Sequence, residues 1–342
     1  MKITFKPKQV TRSLLSALEE RARDIIERRY GLLNDGVERM TLDAIGQIYG
    51  ITRERVRQIE NASLETIRKS GQYTKTQPIF DELEDVMIEH GGLVSEADFL
   101  GAISKDESTQ NHANFLLVIG EPFVRIKEDD IFNHRWTTNP EFSEKIHQSL
   151  HNLYADMNEQ DLVSETDIIV RFLEHLKNMV VDVATEDRAH NWLKISKMVG
   201  KNVMGEWGLA SSPNVHTRGV RDYAYLVLRK NKEPLHFSDV AKEITKSFDR
   251  KAHVATTHNE LIKDDRFVLV GRGLYALTEW GYRAGIVREV IKTVLKEKGP
   301  MTKEEIISEV KKQRQVKENT IYVNLQNSHY FKKSAGGKYA LV

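Results

Sequence analysis

The sequence predicts a mainly α-helical chain with small β-hairpins: an N-terminal helix-turn-helix followed by tandem winged-helix domains. Three observations predict it. Two short helical runs meet at Gly50, each preceded by a Thr cap. Four apolar stubs carrying Ser or Thr recur along the rest of the chain. Hairpin-type strand pairs close most of the intervals between them. A chain of 342 residues has room for several domains of ~100 to 150 residues. Hydrophobic residues make up 40% and charged residues 30%, enough apolar side chain to bury cores and too much for a wholly disordered polymer. The absence of cysteine excludes disulfides, Cys-ligated zinc and thiolate chemistry, and it fits a reducing, cytoplasmic setting. The longest uninterrupted apolar run, Tyr223 to Leu228, falls far short of the ~18 residues of a spanning helix, so no membrane crossing is expected. Met1 to Pro7 lacks the apolar core and cleavage site of a secretory signal, and the mature protein is expected to be the whole sequence.

The formal net charge of +1 conceals a segregation. Residues 1–76 carry 15 Lys+Arg against 10 Asp+Glu, residues 77–190 carry 8 against 24, and residues 191–342 carry 28 against 16. Basic surface attracts nucleic acid and acidic surface repels or mimics it, which points to different partners; solvated helix faces of varying charge would give the acidic stretch equally well.

From Thr11 to Tyr30, Leu14, Leu15, Leu18, Ala22, Ile25 and Ile26 recur at three- and four-residue steps, which predicts one amphipathic helix stopped by Gly31. Leu33-Asn34-Asp35-Gly36 is a turn signal. Thr41 caps a helix from Leu42 to Tyr49 that ends at Gly50, and Thr52 caps a second running on from Arg53. Ile45 beside Gly46 suits a close helix crossing; Ile51 plugs the corner, and Val56 and Ile59 point back into the core. At ~100° per residue Val56, Ile59, Ser63 and Ile67 share one face, and Arg53, Glu54, Arg57, Gln58 and Asn61 form a stripe well away from it. Arg grips guanine, Gln pairs with adenine and Glu accepts from cytosine, so the stripe is expected to read base edges in the major groove. A helical hairpin with a solvated polar face is the alternative.

Arg28-Arg29-Tyr30-Gly31-Leu32, Asp35-Gly36, Thr41 to Gly46 and, above all, Gly50-Ile51-Thr52-Arg53-Glu54-Arg55-Val56-Arg57-Gln58-Ile59-Glu60 resemble region four of the housekeeping, sigma-70 type sigma factors. The resemblance covers about residues 12–69. It implies a module that reads the minus-35 promoter element in double-stranded DNA and docks on the β flap of RNA polymerase. It implies base contacts for Arg53, Glu54 and Gln58, and phosphate contacts for Arg21, Arg29, Thr41 and Arg57. After Glu60 the family usually continues with several basic residues, where this chain has Asn61, Ala62, Glu65 and Thr66, so a weaker phosphate grip is expected there. About ten residues precede the match, too few for the polymerase-clamping helices and promoter-melting aromatics of a complete sigma factor. The protein is therefore expected not to start transcription alone.

Lys69 to Pro78 is polar, contains Gly and Pro, and reads as a linker. Beyond it come the stubs Leu93-Val94-Ser95-Glu96, Leu162-Val163-Ser164-Glu165, Leu235-His236-Phe237-Ser238 and Pro300-Met301-Thr302-Lys303, with Ser95/Asp98, Ser164/Asp167 and Thr302/Glu305 as capping boxes or near relatives. Phe123–Ile126 with Ile131–Trp136, Phe267–Val270 with Leu274–Leu277, and Tyr330–Lys333 with Tyr339–Leu341 read as hairpins; Asn202 to Trp207 makes the poorest. The expected domains are the helix-turn-helix at 1–76, an acidic winged unit at 77–139, a winged unit with the weakest hairpin signal at 140–213, and two more at 214–282 and 283–342.

Arg221 to Trp280 further resembles the HARE-HTH module, the winged domain of the polymerase delta subunit, through Ala224 to Leu228, Glu233 to Val240, and Phe267 with Gly271 to Leu277. This implies docking on polymerase or DNA and no chemistry. Lys311, Lys312, Arg314 and Lys317 either meet phosphates or form a solvated basic face. Glu128, Asp129 and Asp130 would repel DNA and favour a protein partner, and Trp207 is expected in the core.

His147 and His151 have a chelating helical spacing but no accompanying Glu or third ligand, and two surface histidines are expected rather than a metal site. No Walker A loop, dinucleotide-binding turn, Gly-x-Ser-x-Gly elbow or nuclease Asp with Glu-x-Lys is present. Neither enzymatic activity, a cofactor nor a small-molecule substrate is expected. Two functions follow: a cytoplasmic bacterial regulator that binds promoter DNA and polymerase, or a polymerase-binding interaction protein whose helix-turn-helix only docks on the flap and whose acidic middle occupies a basic channel.

Overall fold

The computed structural model describes residues 3–33, 38–176, 185–282, 285–314, 316–334 and 336–342. Most of that chain is helical, and its strands form small sheets of two or three. Two compact units are present, Met1–Gly200 with Trp207–Ala210, and Lys201–Glu206 with Ser211–Val342.

The first unit opens with α1 (Pro7–Leu15), α2 (Glu20–Tyr30), α3 (Leu42–Tyr49) and α4 (Arg53–Arg68). The single helix expected from Thr11 to Tyr30 is thus two. Arg23 stabilises the break: its Nε donates to the Leu15 carbonyl at 3.1 Å and its Nη2 to that of Leu18 at 2.8 Å, oxygens a continuous helix would have used internally. Gly31 ends α2 in the left-handed region, φ +65°. Asn34, Asp35 and Gly36 of the expected turn lie outside the described residues.

The expected linker is instead the start of α5 (Gly71–Glu89), capped by Ser70. Tyr73, Thr76, Phe80, Leu83 and Met87 recur at three- and four-residue steps and are all buried. Pro78 lies inside this helix, and the carbonyl it leaves without a donor belongs to Thr74; both residues are exposed, so that carbonyl is not buried without a partner. The 76/77 boundary therefore falls within a helix. Apolar side chains on its two sides share one core, in which Leu14, Leu15, Leu18, Ile26 and Ile67 join Phe80, Leu83, Phe115 and Leu116.

From α5 onward one order repeats: a helix, a short strand or single bridge, two helices, then a hairpin whose second strand pairs with the first. In the first repeat β1 (Leu93–Ser95), α6 (Glu96–Ile103), α7 (Glu107–Ile119), β2 (Val124–Ile126) and β3 (Arg135–Thr137) give the sheet order β1-β3-β2. In the second, α8 (Pro140–Asp156), α9 (Glu165–Leu176) and α10 (Glu186–Leu193) precede β4 (Val199–Lys201) and β5 (Trp207–Leu209), and Val163 bridges Trp207. The stretch with the poorest hairpin signal does turn back on itself, because the Asn202 Oδ1 accepts from the Met204 and Glu206 amides at 2.9 and 3.0 Å. His147, expected at the surface, is buried against the Phe132 ring, and Arg135 Nε points to its Nε2 at 2.8 Å. Burial, then the Arg135 charge, holds its pKa below the usual histidine value.

In the second unit α11 (Val220–Asn231), β6 (Leu235–His236), α12 (Phe237–Phe248), α13 (Val254–Lys263), β7 (Phe267–Gly271) and β8 (Leu274–Leu277) give the order β6-β8-β7. Then α14 (Val287–Lys298), α15 (Lys303–Gln313), α16 (Glu318–Leu325), β9 (Phe331–Lys333) and β10 (Tyr339–Leu341) follow, with Met301 bridging Tyr339. The caps at Ser95, Ser164 and Thr302 all form, the last as a reciprocal box with Glu305.

Candidate nucleic-acid interface

The helix-turn-helix is assembled by local chemistry. The Thr41 Oγ1 accepts the Ala44 amide and the Thr52 Oγ1 accepts the Arg55 amide, each at 3.2 Å, which fixes the start of α3 and of α4. Between them Gly50 adopts φ +62°, and the Ile51 amide returns to the Gly46 carbonyl at 2.9 Å. A Cβ on Gly46 would stand 2.6 Å from the Ile51 oxygen, so only a hydrogen fits at the crossing. Ile25, Ile45 and Val56, all fully buried, then join α2, α3 and α4 around one small core.

That core leaves the opposite edge of α4 in water, with Arg53, Glu54, Arg57, Gln58 and Asn61 all exposed. Arg53, in the first turn, makes no hydrogen bond or salt bridge among the described residues. Glu54 and Arg57 form a two-pronged pair, Oε1 to Nη2 at 2.7 Å and Oε2 to Nε at 2.9 Å. The Arg57 hydrogen bond holds the Glu54 pKa below the usual carboxylate value. Arg55 Nη1 donates to the Gln58 Oε1 at 3.1 Å, and the Gln58 side chain also hydrogen-bonds the Glu54 carboxylate.

The residues expected on phosphates divide. Arg21 is exposed, 5.6 Å from the Tyr49 ring centre, and Thr41 keeps its hydroxyl hydrogen while its oxygen caps α3. Arg29 turns inward: Nε reaches the Glu60 Oε1 at 3.3 Å and Nη1 the Met40 carbonyl at 3.1 Å. Glu60 was legible only as the last residue of the undecapeptide, and nothing in the spacing joins it to Arg29. Sequence reasoning also missed Arg39 and Arg125, which with Arg29, Tyr30, Asn114 and Trp136 line a pocket of about 520 Å³ in the same unit. Arg125 is held by Glu96 at 2.7 and 3.0 Å; Arg39 Nε donates to the Asn111 Oδ1 at 2.8 Å and has no carboxylate in ion-pair range among the described residues. At the far end of α4, Arg68 is spent on the Ile119 and Val118 carbonyls and Lys69 pairs with Glu65, which leaves that end poor in free cations. In the last repeat Lys311 and Lys312 pair with Glu318 and Glu309, and Arg314 is buried rather than on a basic face.

Residues 14–69 match the family model described as Sigma-70, region 4. Over 61 residues the chain is 48% identical to the RNA polymerase sigma factor RpoD of two strains of Helicobacter pylori, an overlap of 18% of this chain. The chain spans 9% of the length of these curated relatives. The matched segment holds α2, α3 and α4 and ends before α5.

Proposed function

We propose that this protein is a sigma factor-like regulator of transcription initiation that reads a minus-35-type promoter element through α4 and associates with RNA polymerase. One observation carries the reading: the exposed Arg53, Glu54, Arg57 and Gln58 edge of α4 stands on a helix-turn-helix with 48% identity to the matching part of RpoD. Arg53, Glu54 and Gln58 take base edges. Arg21, Thr41 and Arg57 take phosphates, Arg29 adds the nitrogen not engaged by Glu60 and Met40, and Arg39 is a further cation for the backbone. The repeat from Arg221 to Trp280 acts as a HARE-HTH-like docking module, a role its β6-β8-β7 order is compatible with. The protein works without catalysis, in the cytoplasm.

A second reading is favoured by the excess of 24 Asp+Glu over 8 Lys+Arg in residues 77–190: an interaction protein that meets polymerase through acidic surface and uses the helix-turn-helix only for the flap. Anisotropy of a labelled minus-35 duplex, titrated with the full chain at rising salt, separates the two. The first predicts tighter binding than to a scrambled duplex and a steep loss with salt; the second predicts feeble binding blind to sequence, with polymerase co-purification retained.

A further inference from the structure

Arg314, which follows α15, is 6% exposed, yet only one of its three guanidinium nitrogens has an acceptor. Nη2 donates to the Leu269 carbonyl at 3.1 Å; Nε and Nη1 are buried without a partner among the described residues. No carboxylate there lies in ion-pair range, and burial alone pushes its pKa down. A buried cation is strongly disfavoured unless an anion or a full set of acceptors accompanies it.

Arg314 lines a groove of about 1040 Å³. One wall is β7, an edge strand of its sheet, with Leu269 44% exposed. Because the Leu269 carbonyl is turned away from β8 to meet Arg314, this edge offers backbone groups outside the sheet ladder. The facing wall is Ile286, Val316 and the start of α16. Arg272 and Lys317 add positive charge, and no acidic residue lines the groove among the described residues.

We propose that this groove binds an acidic, apolar peptide segment of a partner protein, with a carboxylate side chain meeting Arg314 and flanking apolar side chains packing on Leu269, Ile286 and Val316. Extended peptides are taken up in this way, along an exposed sheet edge with side-chain pockets for selectivity. Duplex DNA fits less well, because phosphates are met by exposed cations on polar surface. The proposal is independent of what α4 reads.

The test uses the full chain and two labelled, capped pentapeptides, Leu-Ile-Asp-Leu-Val and the same sequence with Asn for Asp, read by anisotropy. The Asp peptide should bind saturably and about ten-fold more tightly than the Asn peptide, the gain typical of one charge-assisted contact. Arg314→Met should remove that preference without lowering the melting temperature, since it deletes an uncompensated charge; a purely structural arginine would cost stability instead. Lys317→Glu, on the exposed rim, should weaken the Asp peptide and decides the matter should Arg314→Met not fold. Equal binding of the two peptides, binding of neither, displacement by a duplex of unrelated sequence, or self-association that Lys317→Glu abolishes would each overturn the proposal.

Discussion

Arg29 and Glu60 tie α2 to α4, with 3.3 Å between Nε and Oε1 and the Tyr30 hydroxyl donating to the same oxygen at 2.9 Å. Glu60 is 8% exposed and lies two turns along α4 from Arg53, so the pair fixes how α4 is held against α2. Burial, then the Glu60 charge, raises the Tyr30 pKa and keeps its phenol a donor. Arg29→Ala is expected to cost ~1–2 kcal/mol of unfolding free energy, a figure discounted for the half-exposed arginine. Urea unfolding checks it; an unchanged midpoint with weakened binding to every duplex would return Arg29 to phosphate contact alone.

Gly46→Ala is expected to destabilise by ~1–3 kcal/mol, because a methyl cannot occupy the space before the Ile51 carbonyl without moving backbone. Thermal melting would show the loss, and wild-type stability would refute so close a crossing.

Thr41, Gly46, Gly50 and Thr52 were legible in the sequence because each acts on backbone within a few residues of itself, and the stubs at Ser95, Ser164 and Thr302 were legible because their caps are equally local; at the third stub His236, not Ser238, caps the helix. Two expectations failed for a common reason. The helical period ran unbroken through Ser16 and Ala17, while the break there is held by the side chain of Arg23 reaching back along the chain. At α5, Gly71 and Pro78 outweighed the spacing of Tyr73, Thr76, Phe80 and Leu83, whose burial comes from packing onto a core that includes α1, α4 and α7. The inward turn of Arg29 and the burial of Arg314 depend on partners 31 and 45 residues away, beyond the reach of local pattern.

That shared core has a consequence for fragments. Residues 1–76 alone would expose Leu14, Leu15, Ile26 and Ile67, and would lose the Arg68 bonds to the Ile119 and Val118 carbonyls. Such a fragment is expected to lack a cooperative melt by circular dichroism, whereas residues 1–210 should unfold cooperatively. A cooperatively folded 1–76 fragment would show that α5 and α7 are dispensable.

His112 on α7 is buried with its Nδ1 unpartnered, and burial, then Lys8 and Arg12 of α1, lowers its pKa from 6.5 to about 4, with Asp106 opposing. The unfolded chain therefore takes up a proton between pH 6.5 and about 4 that the folded chain refuses, so stability falls as pH drops through that window. Urea midpoints at roughly pH 7 and pH 5 should diverge in the wild type and less so in His112→Gln. An equal gap in both would assign the pH dependence to other groups.

Base reading by α4 stands or falls at Arg53, whose exposed side chain has no hydrogen bond or salt bridge to lose within the described protein. The measurement is the affinity of the wild type and of Arg53→Ala for a panel of minus-35 duplexes differing one base pair at a time, at fixed salt. Arg53→Ala is expected to cost ~1–3 kcal/mol on the preferred duplex and to flatten discrimination at a single position, leaving the others intact. An equal loss on every duplex, or no preference among duplexes in the wild type, would contradict it.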